Sequence, residues 1–167
     1  MLTAGHINLS QFNDWYKHLL YQRIYKKPGY NLVDPRDDER YNLKSIEVGI
    51  ARDFGADLQN FLNERFSWLD QKTYAVHQLI PGTLLPWHTD TYFVFKTNKG
   101  ISDSNHITRV IVFLEDWQKG HISETGNKVN TGYKAGDWIS WVGGTPHMAA
   151  NLGHTDRYTL QITGIRK

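Results

Sequence analysis

The sequence predicts a mainly β domain with flanking helices, built as a sandwich or jelly roll, and three observations lead there. Six Trp, nine Tyr and seven Phe in 167 residues are side chains that suit pleated, half-buried surfaces. Helical spacing of apolar residues is found in the first 70 residues. From Gln71 onward the chain breaks into short β-type runs separated by turn residues, a pattern that favours a sandwich over a βαβ sheet.

In chain order, Ser10 is a plausible N-cap for a first helix, with Phe12, Trp15, Tyr16, Leu19, Leu20 and Ile24 at helical spacing until Pro28-Gly29 stops it. A polar, turn-rich loop follows from Tyr30 to Arg40. A second helix is expected from about Asp53 to Trp68, with Phe54, Leu58, Phe61, Leu62 and Phe66 on one face. Strands are expected near Thr73–Ile80, Leu84–Phe95, Ile107–Glu115, His121–Thr125, Trp138–Val142, His147–Asn151 and Tyr158–Thr163. Pro81-Gly82, Asn98-Lys99-Gly100, Thr125-Gly126-Asn127, Ala135-Gly136-Asp137 and Gly143-Gly144 punctuate them. One domain is expected over residues 1–167, with a helical part (1–70) packed on one outer face of a jelly-roll core (71–167).

A hydrophobic fraction of 40% with 22% charged residues is ordinary for a soluble globular protein, and 167 residues bury a sizeable core. The net charge is +2 and the charges are scattered, so no basic stripe marks a nucleic-acid footprint. The absence of cysteine excludes disulfides and thiolate metal sites. No basic-then-apolar leader opens the chain and no apolar run reaches membrane-spanning length. A cytoplasmic protein is expected (host cytoplasm if the source is a virus), with no membrane association.

His88-Thr89-Asp90 carries the chemistry. Residues two apart on a strand leave from the same face, so this imidazole and carboxylate can reach one ion. A ferrous ion that must also admit a co-substrate and O₂ needs few protein ligands, and two histidines with one carboxylate meet that need. His147, on the strand after Gly143-Gly144, is the expected third ligand. A second His-x-Asp, His154-Thr155-Asp156, has no histidine after it and sits in turn-like sequence. It reads as loop.

If His147–Asn151 and Tyr158–Thr163 form a hairpin turning near Gly153, Thr159 lies opposite His147 and Arg157 opposite Ala149. Both would then share a face with His147. A guanidinium there can grip a carboxylate in bidentate fashion, and Thr159 adds a hydroxyl. This suits a dicarboxylic acid that chelates the metal at one end and is clamped at the other.

The ordered set from Leu79 through Pro81-Gly82-Thr83, Pro86 and His88-Thr89-Asp90, then Gly136-Asp137-Trp138, Pro146-His147, Asn151 and Arg157-Tyr158-Thr159, resembles the 2-oxoglutarate/Fe(II) dioxygenase superfamily over roughly residues 72–164. The resemblance implies a double-stranded β-helix, Fe(II) on His88, Asp90 and His147, and O₂-dependent conversion of 2-oxoglutarate to succinate coupled to substrate oxidation. Pro81-Gly82-Thr83, Pro86, His88 and Arg109 ahead of Val110-Ile111-Val112-Phe113-Leu114 are similar to aspartyl/asparaginyl β-hydroxylase-like proteins, which often lack the carboxylate present here as Asp90. Prolyl 4-hydroxylase-like enzymes keep that carboxylate but usually carry Lys where this chain has Arg157. The pattern also resembles small phage oxygenases. Related halogenases replace the carboxylate with a small residue, so Asp90 favours hydroxylation or desaturation.

Arg109 could bind the near carboxylate of 2-oxoglutarate or an acidic substrate, or be a solvated strand end. Gln78 and Tyr74, at period 2 on the first core strand, are further co-substrate candidates. Trp87 should face away from the metal, Trp141 reads as core or cavity wall, and Asn151 as a turn residue or a site amide, the turn being favoured. His77, His106 and His121 read as structural. The expected function is hydroxylation of an amino-acid side chain, free or in a peptide. The alternatives are nucleic-acid demethylation on the same core and a non-catalytic jelly-roll binding module.

Overall fold

The computed structural model describes residues 2–25, 31–41 and 47–167. Its strands are β1 (Thr3–His6), β2 (Gln22–Tyr25), β3 (Asn31–Leu32), β4 (Glu47–Ala51), β5 (Leu69–Leu79), β6 (Thr83–Thr89), β7 (Ile107–Phe113), β8 (His121–Thr125), β9 (Lys128–Val129), β10 (Asp137–Val142), β11 (His147–Asn151) and β12 (Arg157–Arg166). The α-helices are α1 (Asp37–Arg40), α2 (Ala56–Arg65) and α3 (Phe93–Lys99). A seven-stranded sheet runs β1-β10-β7-β12-β5-β4-β2 and a five-stranded sheet β3-β6-β11-β8-β9, with antiparallel pairing throughout.

Alternation along the strands of the large sheet separates two environments. Val76, Val110, Val112, Leu160 and Ile162 point outward and pack with Leu58 and Leu62 of α2, and with Phe54 and Phe66 beside it. The opposite face meets the small sheet, where Ala75, Leu79 and Ile50 pack with Leu85 of β6. Arg109, Arg157 and Thr159 are interspersed on this inner face and are buried. The seven-stranded sheet is therefore a wall with a dry side and a chemical side.

The N-terminal third departs from its helical reading. Ser10–Phe12 and Trp15–His18 are short 3₁₀ turns, and the chain then enters β2. Asp14 sits in the left-handed region at φ 48° and Leu19 is extended, which breaks the helix at Asn13-Asp14. Phe12, Trp15 and Tyr16 do face the core, but through ring contacts with Phe61, Phe54 and Tyr158, and Leu20 is 96% exposed. Tertiary packing overrode the local period. Ser10 is not the cap; its backbone N–H donates to Asn8 Oδ1. The Pro28-Gly29 stop lies outside the described residues.

The second helix is present, three residues shorter at each end than predicted. The strand expected over 84–95 ends at Thr89, because Tyr92 takes a left-handed turn at φ 53° that opens α3. The loop expected over 30–40 instead contains β3 and α1, Tyr30 being outside the described residues.

Gly136 makes the tight turn into β10 at φ 91°, and a Cβ there would lie 2.1 Å from the carbonyl oxygen of Ile7. That backbone is fixed by hydrogen bonds from Ile7 N to Gly136 O and from Gly136 N to Phe113 O. Gly136→Ala should cost about 2–4 kcal/mol, from the left-handed penalty plus a clash with backbone that cannot yield. Chemical denaturation measures this, and a loss under 1 kcal/mol, on the order of an ordinary surface change, would contradict it.

Glu115, at the outer end of β7, is half-buried. Burial, reinforced by Asp156 and Asp14 against the opposing pull of Lys17 and Arg157, pushes its carboxyl up to about 7. A raised carboxyl favours the fold at pH values below the unfolded pKa, and that contribution is lost as pH rises through the folded value. Glu115→Gln should therefore stabilise the protein by about 1 kcal/mol at pH 8, after discounting for partial exposure, and have almost no effect at pH 4.5. Equal effects at both pH values would rule out this titration.

Candidate metal centre

His88 lies near the end of β6, and Asp90 follows just beyond it. His147 opens β11, whose antiparallel register sets it directly opposite His88, with ring centroids 4.4 Å apart. One ligand atom from each of the three lies within 4.8 Å of the others. Two adjacent strands and a chain reversal thus bring together the three residues expected to hold the metal.

The two imidazoles are oriented alike. Nδ1 of His88 bonds to Pro86 O at 2.7 Å, and Nδ1 of His147 to Thr145 O at 3.0 Å. A carbonyl can only accept, so Nδ1 carries a proton in each, and Nε2 is the atom through which the neutral ring would take a metal. His147 Nε2 lies 3.7 Å from Asp90 Oδ2.

Arg109 is not a solvated strand end. It is 7% exposed, and its Nε and Nη2 donate to Asp90 Oδ2 at 3.0 and 2.8 Å. Its Nη1 donates to Thr163, and its guanidinium lies 5.0 Å from the Tyr92 ring centre. Burial works to raise the Asp90 carboxyl, but Arg109, with His147 and His88, holds it well below the ordinary carboxylate range. Both Arg109 bonds fall on Oδ2. Arg109 thus acts on the carboxylate rather than standing as an independent anion hook.

The clamp candidates reach the cavity by a route other than the hairpin. β11 and β12 lie in different sheets: β12 pairs with β5 and β7, where Thr159 is opposite His77 and Phe113, and Arg157 is opposite Leu79. Arg157 and Thr159 face His147 across the sandwich and line the same narrow cavity. Arg157 is 3% exposed, and its one hydrogen-bond partner among the described residues is the Tyr133 hydroxyl at 3.5 Å, on a ring stacked on Phe113. Among the described residues no carboxylate stands within ion-pair distance of it. Asp156, its neighbour in the chain, does not pair with it and accepts from Gln78 and Tyr158.

Gln78 and Tyr74 are corrections. Both point to the outer face, Gln78 donating to Asp156 and Tyr158 and Tyr74 to Asn63 Oδ1. A one-residue error in strand phase exchanges the faces. His77, one residue away, lines the cavity, as do Gln161 and Ser123. Extending the period-2 row from Arg157 and Thr159 would have found Gln161.

Trp141 walls the cavity with its ring 4.8 Å from that of His147, and its buried Nε1–H has no hydrogen-bond partner among the described residues. Asn151 is structural, donating to Leu79 O and Thr155 O. His121 is fully buried, with Nε2 near Thr155 O, and His106 is an exposed neighbour of Asp103.

No family model and no curated protein matches the sequence. Solved structures do match in shape. A Thermotoga maritima protein described as a predicted oxalate decarboxylase aligns over 89% of this chain and 95% of its own, at TM-score 0.50 and 16% identity. The fold is a double-stranded β-helix. Looser likenesses, at TM-scores 0.49 and 0.43, include an oxidoreductase of the 2OG-Fe(II) oxygenase family from Burkholderia pseudomallei and a Pseudomonas putida prolyl-4-hydroxylase. They are 13% and 17% identical, covering 95% and 88% of this chain and 79% and 70% of their own. On this double-stranded β-helix, then, stands a His-Asp-His cluster able to hold a metal, facing a buried arginine. No helix among the described residues is long and apolar enough to cross a membrane.

Proposed function

We propose that this chain is an Fe(II)- and 2-oxoglutarate-dependent oxygenase that hydroxylates an amino-acid side chain, free or in a peptide. The observation that carries the reading is Arg157: a buried guanidinium facing the same cavity as His88, Asp90 and His147, with no carboxylate within ion-pair distance among the described residues and Glu115 acting on it only from further off. Leaving a cation buried and unpaired is costly, so such a group is expected to meet an anion from outside.

The donor set fits ferrous iron, since two imidazoles and one carboxylate leave positions open for a chelating acid and O₂. Bound iron with 2-oxoglutarate would supply the oxidising power. The chain's own residues do the rest. Arg157 holds the far carboxylate of the co-substrate, with Thr159 donating a second hydrogen bond beside it. The Trp141 indole N–H, otherwise unpaired, offers a donor next to His147. Leu79, Leu85, Ile111 and Ala149 line the same space and keep it dry. Arg109 fixes Asp90 in its charged form.

Anaerobic Fe(II) titration followed by succinate measurement under O₂ tests the proposal. Stoichiometric iron and iron-dependent succinate are expected. Protein that binds no Fe(II) and releases no succinate would return the chain to the class of jelly-roll binding modules.

A further inference from the structure

A second, wider cavity of about 640 Å³ adjoins the metal cavity, sharing Asp90, Arg109 and Gln161 with it. It falls in the size range of small-molecule sites, roughly 300–1,000 Å³. Its other walls come from β5, from α3 and from Arg52 after β4.

Its electrostatics have one sign. Asp90 is the only carboxylate among the described lining residues, and Arg109 already neutralises it. Arg52 and Lys99 also line the cavity, and neither has a carboxylate within ion-pair distance among the described residues. Positive charge in a concave site favours anions. The apolar wall includes Phe93 and Val94 on the first turn of α3, 72% and 68% exposed. Large apolar side chains standing in water beside a cleft mark a contact surface.

Tyr92 supplies the polar group near the floor. It is 6% exposed, its hydroxyl lies beside Arg109 and Asp90 without a well-formed hydrogen bond among the described residues, and its backbone is held at φ 53°. A bulky residue in the left-handed region is strained, and such strain clusters where a side chain must be aimed.

We propose that this cleft selects a substrate bearing a carboxylate, which docks on Arg52 and Lys99 while an apolar portion lies along Phe93 and Val94 and the Tyr92 hydroxyl bonds a polar atom at the inner end. The proposal rests on the oxygenase reading for what happens next, but binding can be read without turnover. The carboxylate belongs to a free acid or to an acidic residue of a peptide.

The test is calorimetric titration of metal-free protein with aromatic and aliphatic carboxylic acids, each matched with its primary amide, and with short peptides carrying Glu or Gln at one position. Acids should bind about ten-fold more tightly than their amides, a difference of about 1.4 kcal/mol. The Arg52→Gln/Lys99→Gln double variant should erase that preference while 2-oxoglutarate affinity, measured separately on the metal-loaded protein, changes less than about two-fold. Preference for free acids identifies a small-molecule substrate, and preference for the Glu peptides a peptide. Equal affinity for acids and amides overturns the proposal, as does no binding by any acid or a preference that survives the double variant. A matching loss of 2-oxoglutarate affinity would mean that the rim serves the co-substrate. Strong, salt-sensitive oligonucleotide binding abolished by the same variant would assign the cations to nucleic acid. The oxygenase reading fails separately, if Fe(II)-loaded protein forms no succinate.

Discussion

His147→Ala should abolish iron-dependent succinate formation and weaken Fe(II) binding beyond the roughly 10–100-fold typical of losing an outer-sphere partner. The variant removes one of three converging donors and leaves an imidazole and a carboxylate, too few to hold the ion against water. The fold should survive. His147 contributes its backbone to β11, which alanine preserves, and the hydrogen bond of its side chain to Thr145 O is worth about 1 kcal/mol. Asp90 keeps its Arg109 partner, so no buried charge is orphaned. Fe(II) titration and thermal unfolding on the same sample separate the effects. Wild-type iron affinity in a folded variant would remove His147 from the ligand set, and with it the present reading of the site.

Arg157→Ala should weaken 2-oxoglutarate binding about ten- to a hundred-fold, the scale of one or two charge-assisted hydrogen bonds at ~1.5–3 kcal/mol. Its signature lies in pairing that loss with stability. A buried guanidinium whose one hydrogen bond among the described residues is a long one to Tyr133 is a burden on the empty protein, so the variant without ligand should unfold no more easily than wild type. A structural arginine behaves in the opposite way, and its removal destabilises the empty protein. Arg157→Lys should recover only part of the affinity, because an ammonium lacks the fork that matches a carboxylate. Loss of stability with unchanged 2-oxoglutarate dependence would defeat the clamp.

The sequence revealed the jelly-roll core because its strands alternate clearly and end at turn residues; β8 and β11 lie at their predicted bounds. It also pointed to His88, Asp90 and His147, since residue types that ligate iron stood at spacings a strand can use. Pairing was harder to read. Period 2 tells which side chains share a face of one strand but not which strand lies next door, so Arg157 and Thr159 were placed in the right cavity by the wrong neighbour. The same period needs a phase, which the sequence of β5 leaves undefined: Tyr74 and Gln78 face outward and His77 inward. The partnership of Arg109 with Asp90 left no local trace, because it joins residues from different sheets. In the first 25 residues, aromatic contacts with α2 and the outer sheet face decide the backbone.

The opposition of His88 and His147 across one rung of the small sheet has a thermodynamic consequence. An ion bound there clasps β6 to β11, and a chain in which that seam has parted offers it no comparable seat. Affinity for the metal is thus borrowed from closure of the sheet, and the melting temperature must climb with the logarithm of free metal concentration. A bound ion would therefore stabilise the folded molecule as well as complete the site.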